Sequence, residues 1–131
     1  MQFAEAFNKL GYKLTFPRTD WSAETATGVC ISLWRSEIDW KALSFDTRVS
    51  AGVPATWNPA GNNKRKRHLA VALERFAGWV DVVVVDGVPG EGVSNATPWN
   101  QRDRKGLRWR VLSLDEEVGH FAVQALPFTS G

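Results

Sequence analysis

The sequence predicts an α+β fold, built as a curved, mostly antiparallel sheet or a small barrel with two packing helices. Three observations predict it. Two stretches carry apolar residues at helical spacing, around Phe3–Leu10 and Leu69–Phe76. Several short runs alternate or are continuously apolar and are punctuated by Gly and Pro, as strands are. The order helix, strands, helix, strand, long loop, hairpin lacks the regular βα alternation of a doubly wound parallel sheet. A chain of 131 residues suits one domain over 1–131, and it contains no internal repeat and no linker long enough to divide it.

Phe3, Phe7 and Leu10 share one helical face, and Gly11 is a natural stop. Tyr12, Leu14 and Phe16 alternate up to Pro17, which ends an extended run. Trp21-Ser22-Ala23 reads as a brief strand, Thr27-Gly28 as a turn, and Val29–Trp34 as an apolar strand. Phe45–Ser50 is a further strand candidate, bounded by Gly52 and Pro54. Asn58–Asn63 reads as a loop whose asparagines can cap the helix that follows, and Gly78 ends that helix. Trp79–Val85 is the strongest strand, because near-continuous valines require burial on both faces and a central position. Gly87–Gly92 reads as a flexible loop and Ser94–Gly106 as polar, basic coil. Leu107–Leu114 alternates, with Leu107, Trp109 and Val111 opposite Arg108 and Arg110. Asp115–Gly119 turns the chain, and His120–Leu126 returns to complete an antiparallel hairpin.

Composition narrows the function classes. Hydrophobic residues at 44% and charged residues at 23% describe a folded globule, not a disordered chain. No stretch approaches the roughly 18 apolar residues of a membrane span, and Met1–Leu10 has no continuous apolar core of a signal peptide. The single cysteine, Cys30, excludes an internal disulfide framework and fits the reducing cytoplasm. Set in an apolar run, it reads as a buried hydrophobe. His68 and His120 are isolated from one another and read as surface or rim residues. No cofactor or zinc motif is present, and a non-enzyme is the expected class.

The net charge is only +2, but its distribution is uneven. Ten of the 16 Lys and Arg residues fall between Lys64 and Arg110, against five acids. The last 21 residues hold three acids and no Lys or Arg. Such concentration suits one side that meets an anionic partner. Two segments carry it. Lys64, Arg65, Lys66 and Arg67 open the second helix, where cations oppose the helix dipole and local stability does not favour them. Asn100, Gln101, Arg102, Arg104 and Lys105 precede the hairpin and continue into Arg108 and Arg110, side-chain types that bond base edges and phosphates. Either segment also reads as an ordinary solvated face.

Seven tryptophans are several times ordinary usage. Trp34 and Trp79 sit in apolar strands and read as core, whereas Trp57 and Trp99 lie in expected loops and are candidates to stack on unpaired or flipped bases. The outline of a small barrel with packing helices resembles the PUA-like domains, some of which read modified bases, at the level of fold alone.

The leading expectation is a small nucleic-acid-binding module, DNA more than RNA. Trp57 and Trp99 would stack, Asn100 and Gln101 would read edges, and Lys64, Arg65, Arg67, Arg102, Arg104, Lys105, Arg108 and Arg110 would supply positive charge. A second is an adaptor or inhibitor whose basic, Trp-rich surface meets an acidic protein partner. A third is a Mg²⁺-dependent nuclease using Asp20, Glu37, Asp39 and Lys41. No membrane partner is expected.

Overall fold

The valine run lies at the middle of the molecule. In the computed structural model, which describes residues 1–50, 57–88, 91–100 and 105–128, the run forms β4 (Trp79–Val88), and the other strands are laid around it. In chain order the elements are α1 (Phe3–Lys9), β1 (Ser22–Thr25), β2 (Gly28–Trp34), a 3-10 turn at Arg35–Glu37, β3 (Ser44–Asp46), α2 (Thr47–Ser50), α3 (Pro59–Arg75), β4, β5 (Gly92–Pro98), β6 (Leu107–Leu114) and β7 (Phe121–Pro127). The strand order is β1-β2-β4-β6-β7-β3, with β5 also paired to β4. The β2/β4 pair is parallel and the other described pairs are antiparallel.

The sheet stays open. Its outer strands, β1 and β3, span four and three residues and do not pair with each other, so the curved sheet is found and the small barrel is not. Along one edge β4 changes partner. Trp79 and Val80 pair with β6, whereas Val83–Val88 pair with β5. At the fork, Trp99 donates its backbone N–H to the Val82 carbonyl at 2.8 Å.

Alternation along β4 divides the core in two. Val80, Val82 and Val84 pack with Ile31, Leu33, Leu69, Trp109 and Phe121 on the α3 side. Val83 and Val85 pack with Ala6, Phe7, Leu14 and Cys30 on the α1 side. Each fully buried large apolar side chain here contributes roughly 1.5–3 kcal/mol. Burial on both faces is what the valines implied, and Cys30 is the buried hydrophobe expected. The β6/β7 hairpin forms as expected, with a bulge after Val111 that leaves Leu112 exposed.

Five local expectations are corrected. Tyr12–Phe16 is not a strand: the Phe16 carbonyl accepts from Thr19 and Asp20 in a turn, and Tyr12 is held instead by its hydroxyl donating to Asp81 at 2.7 Å. The Phe45–Ser50 strand ends at Asp46, whose carboxylate accepts from the Arg48 N–H as the chain enters α2, a third helix; Gly52 and Pro54 lie outside the described residues. The second expected helix, α3, starts at Pro59, not after Asn63. Proline lacks only a donor that a first helical position leaves free, and the Asn58 side chain accepts from Ala60 and Gly61 N–H. Within the supposed coil Ser94–Gly106, residues up to Pro98 are strand β5. His68 is buried and is not a surface histidine. No helix among the described residues is long and apolar enough to cross a membrane.

Candidate binding cleft

The ends of the parallel pair open into a cleft. Trp34 and Val85 are the last register partners of the parallel β2/β4 pair, at the C-terminal end of that ladder, where ligands commonly bind. A cavity of about 1010 Å³ lies there, with Trp21, Trp34 and Trp57 among its walls and Glu37 and Arg65 among its polar lining. Trp21 and Trp57 stand beside Arg65 on the α3 side, whereas Trp34, like its partner Val85, packs on the α1 side, so the cavity runs round the end of the sheet.

Each wall has a local cause. The Trp21 carbonyl accepts from the backbone N–H and the hydroxyl of Ser32 at 3.0 and 3.1 Å, which fixes Trp21 beside β2. Trp57 precedes the Asn58 cap and meets the His120 ring edge-on at 5.5 Å, while His120 is bonded to Thr47 at 2.9 Å. Gly61, in the first turn of α3, lets the helix approach closely: a Cβ there would sit 2.5 Å from the Trp21 ring and 2.7 Å from the Thr19 carbonyl.

Arg65 is the electrostatic centre. Only 9% exposed, its guanidinium sits 4.7 Å from the Trp21 and Phe121 ring centroids and 5.2 Å from that of Trp57. Among the described residues it touches rings and no hydrogen-bond acceptor. Burial pulls its pKa down to about 10, partly opposed by the charge of Glu37. Burial likewise raises the Glu37 carboxyl above the usual carboxylate range, with Arg65 opposing. The two charges act on one another through space but do not form an ion pair.

Asp20, also at the cleft, is already partnered by Lys64 Nζ at 2.8 Å and by the Phe16 N–H at 2.8 Å. Burial pushes its carboxyl up, these bonds outweigh burial, and the net pKa is lowered. Asp39 caps a turn by accepting from Lys41 and Ala42 N–H at 3.0 Å. Asp20, Glu37 and Asp39 do not converge, and no group of three His, Cys, Asp or Glu able to hold a metal occurs among the described residues. Ser22, His68 and Glu24 do come together, with Ser22 Oγ to His68 Nδ1 at 2.6 Å and His68 Nε2 to Glu24 at 3.9 Å. Ser22 is fully buried, so no substrate reaches its hydroxyl. Burial lowers the pKa of His68 despite Glu24, and the pair ties β1 to α3.

The expected site residues therefore separate. Trp57 and Arg65 line the cleft, but Arg65 is a buried cation and not a surface phosphate contact. Lys64 is bound to Asp20. Trp99 is not a loop platform. It is core, edge-on to Trp109 at 5.4 Å, its indole N–H donating to the Leu107 carbonyl, because β5 delivers it into the fork of the sheet. Arg67, Asn100, Lys105 and Arg110 are exposed. Gln101, Arg102 and Arg104 lie outside the described residues. Arg108 and Arg110 stand on one face of β6 as expected. Arg108 is 4.8 Å from the Phe128 ring and 3.5 Å from Asp81, and Arg110 is 5.4 Å from the Trp79 ring. Trp34 and Trp79, expected in the core, are only half-buried. Trp21, Trp34 and Glu37 were not foreseen as one site. The available signal was that Trp34 ends a strand directly before the polar Arg35-Ser36-Glu37. No protein-family model, curated protein or solved structure matches the chain.

Proposed function

We propose that the chain is a nucleic-acid-binding module without catalysis of its own, and that the cleft receives one unpaired or extruded base. The observation that carries this reading is the meeting of two indole rings, Trp21 and Trp57, with the buried guanidinium of Arg65 in a cavity of about 1010 Å³ that Glu37 also lines. Flat aromatic walls suit a flat ligand, and stacking is worth roughly 1–3 kcal/mol per base. Arg65 and Glu37 balance one another in sign, which suits a neutral heterocycle with both donors and acceptors better than a phosphate or a quaternary ammonium group. Exposed Arg67 and Lys105 are available for phosphates. The buried thiol of Cys30 needs no oxidising compartment, and the reading places the module in the cytoplasm.

The test is fluorescence anisotropy of labelled single-stranded DNA, duplex DNA, modified-base duplexes and RNA at two salt concentrations, with tryptophan emission followed in parallel. Salt-sensitive binding with quenching that is reduced in Trp57→Phe supports the proposal, and the preferred probe separates DNA from RNA. No binding at low salt overturns it. Cleavage of a probe in Mg²⁺ would instead favour the nuclease reading.

A second reading has its own observation. Trp79, Arg108, Arg110 and Phe128 form a partly exposed aromatic–arginine strip, with the Trp79 and Phe128 rings 4.8 Å apart. Tryptophan and arginine are the preferred anchors of protein interfaces, so an acidic protein partner fits this strip. A partner retained after nuclease treatment of a pull-down, and lost in Arg108→Ala/Arg110→Ala, favours it.

A further inference from the structure

We infer that Arg65 and Glu37 read a single base edge, and that the cleft selects bases whose edge presents two adjacent acceptors followed by a donor. This rests on the reading above that the cleft receives a base. Arg65 is more than nine-tenths buried and lines the cleft, yet among the described residues its donors meet aromatic rings and no acceptor. Its nitrogens are not among the buried atoms left without a partner, so they open onto the cleft, where a ligand edge can supply the acceptors that no side chain gives them. A carboxylate would normally do so, and Glu37 lines the same cavity, but the two do not pair. The rings of Trp21, Trp57 and Phe121 surround the cation instead.

The ligand edge follows from chemistry. A guanidinium fork donates two parallel hydrogen bonds and asks for two neighbouring acceptors. A carboxylate only accepts and asks for a donor beside them. Guanine offers N7 and O6 and then N1–H and the amino group. Cytosine offers O2 and N3 and then its amino group, and a substituent at its C5 leaves that edge intact. Adenine and thymine or uracil alternate acceptor and donor around their edges, so one of the two cleft groups meets its like. Glu37 serves only as the carboxylate. Since burial raises its pKa, acidification removes the acceptor at a higher pH than for an ordinary glutamate, and selectivity falls with it.

The experiment uses the full chain and short abasic single strands carrying one central guanine, cytosine, adenine or thymine, with a fully abasic strand as baseline. Tryptophan quenching and anisotropy are read at low salt. The expected result is about tenfold tighter binding of guanine or cytosine than of adenine and thymine, within the discrimination that one bidentate contact supplies. Glu37→Gln, whose amide donates as readily as it accepts, brings the four bases together. Arg65→Lys keeps the charge, loses the fork and does the same, with far-UV circular dichroism confirming that both variants are folded. Quenching by all four bases at equal affinity overturns the edge assignment while leaving a base-binding cleft. A base-bearing strand bound no better than the abasic one overturns the base-binding reading itself.

Discussion

Asp20 and Glu37 sit on opposite sides of one electrostatic rule. Asp20 gains partners on folding and its pKa falls below the ordinary 3.8. Its stabilising effect is therefore present above that value and is lost as pH drops through the lower folded value. Asp20→Asn should cost about 1–3 kcal/mol at pH 7, as for a buried charged hydrogen bond, and nothing in strong acid. Denaturant titration at the two pH values checks this. Glu37 has the reverse sign. With its pKa raised above 4.5, the folded protein prefers the protonated form, so relative stability is greatest below 4.5 and is lost as pH rises through the raised value. Glu37→Gln should therefore raise Tm at pH 7, and the gain should vanish below pH 4.5. Stability given up at a cleft residue is the expected signature of a binding role. The tryptophans divide in the same way. Trp99→Ala should cost about 3–5 kcal/mol as a core truncation. Trp57→Ala, half-buried at the cleft, should lose ligand quenching with a smaller loss of stability.

At the scale of elements, α3 shows how local rules and tertiary contacts compete. Alanine is a better helix former than glycine by about 1 kcal/mol, yet Gly61→Ala should destabilise, because the new Cβ would sit 2.5 Å from Trp21. It should also shift the tryptophan emission by moving that wall of the cleft. The buried stripe of α3 runs through Gly61, Asn62, Arg65, His68, Leu69 and Ala72. Its later half was legible because Leu69 and Ala72 are apolar. Its first half was not, because a glycine, an asparagine and an arginine occupy inward positions and hydropathy marks those residues as outward. β4 was readable for the opposite reason: valine satisfies strand propensity and burial together. β5 escaped notice because Gly92–Asn95 are exposed, so its pairing with β4 leaves no apolar alternation in the sequence. The cleft needs Trp21 from before β1, Glu37 from the turn after β2, and Trp57 and Arg65 from the entry to α3, a closure that spacing along the chain does not encode.

At the scale of the whole molecule, the uneven charge read from the sequence remains a statement about partners and not about the fold. Replacing Arg102, Arg104 and Lys105 together by alanine should weaken binding to single strands. It should also flatten the salt dependence by roughly 0.7 in log–log slope for each phosphate that those side chains neutralise. Affinity measured at three salt concentrations checks this. The forked β4 has a different consequence. Because Trp79–Val80 belong to one set of pairings and Val83–Val88 to another, neither half of the sheet can detach and leave a complete neighbour behind. The buried amides of β4, Val80 and Val82–Val85, should exchange with deuterium only through global opening, with one common protection free energy equal to the full unfolding free energy, while those of α1 exchange sooner. A shared strand makes the molecule come apart once, as a unit, so that a cleft held at the end of that strand is either fully assembled or absent.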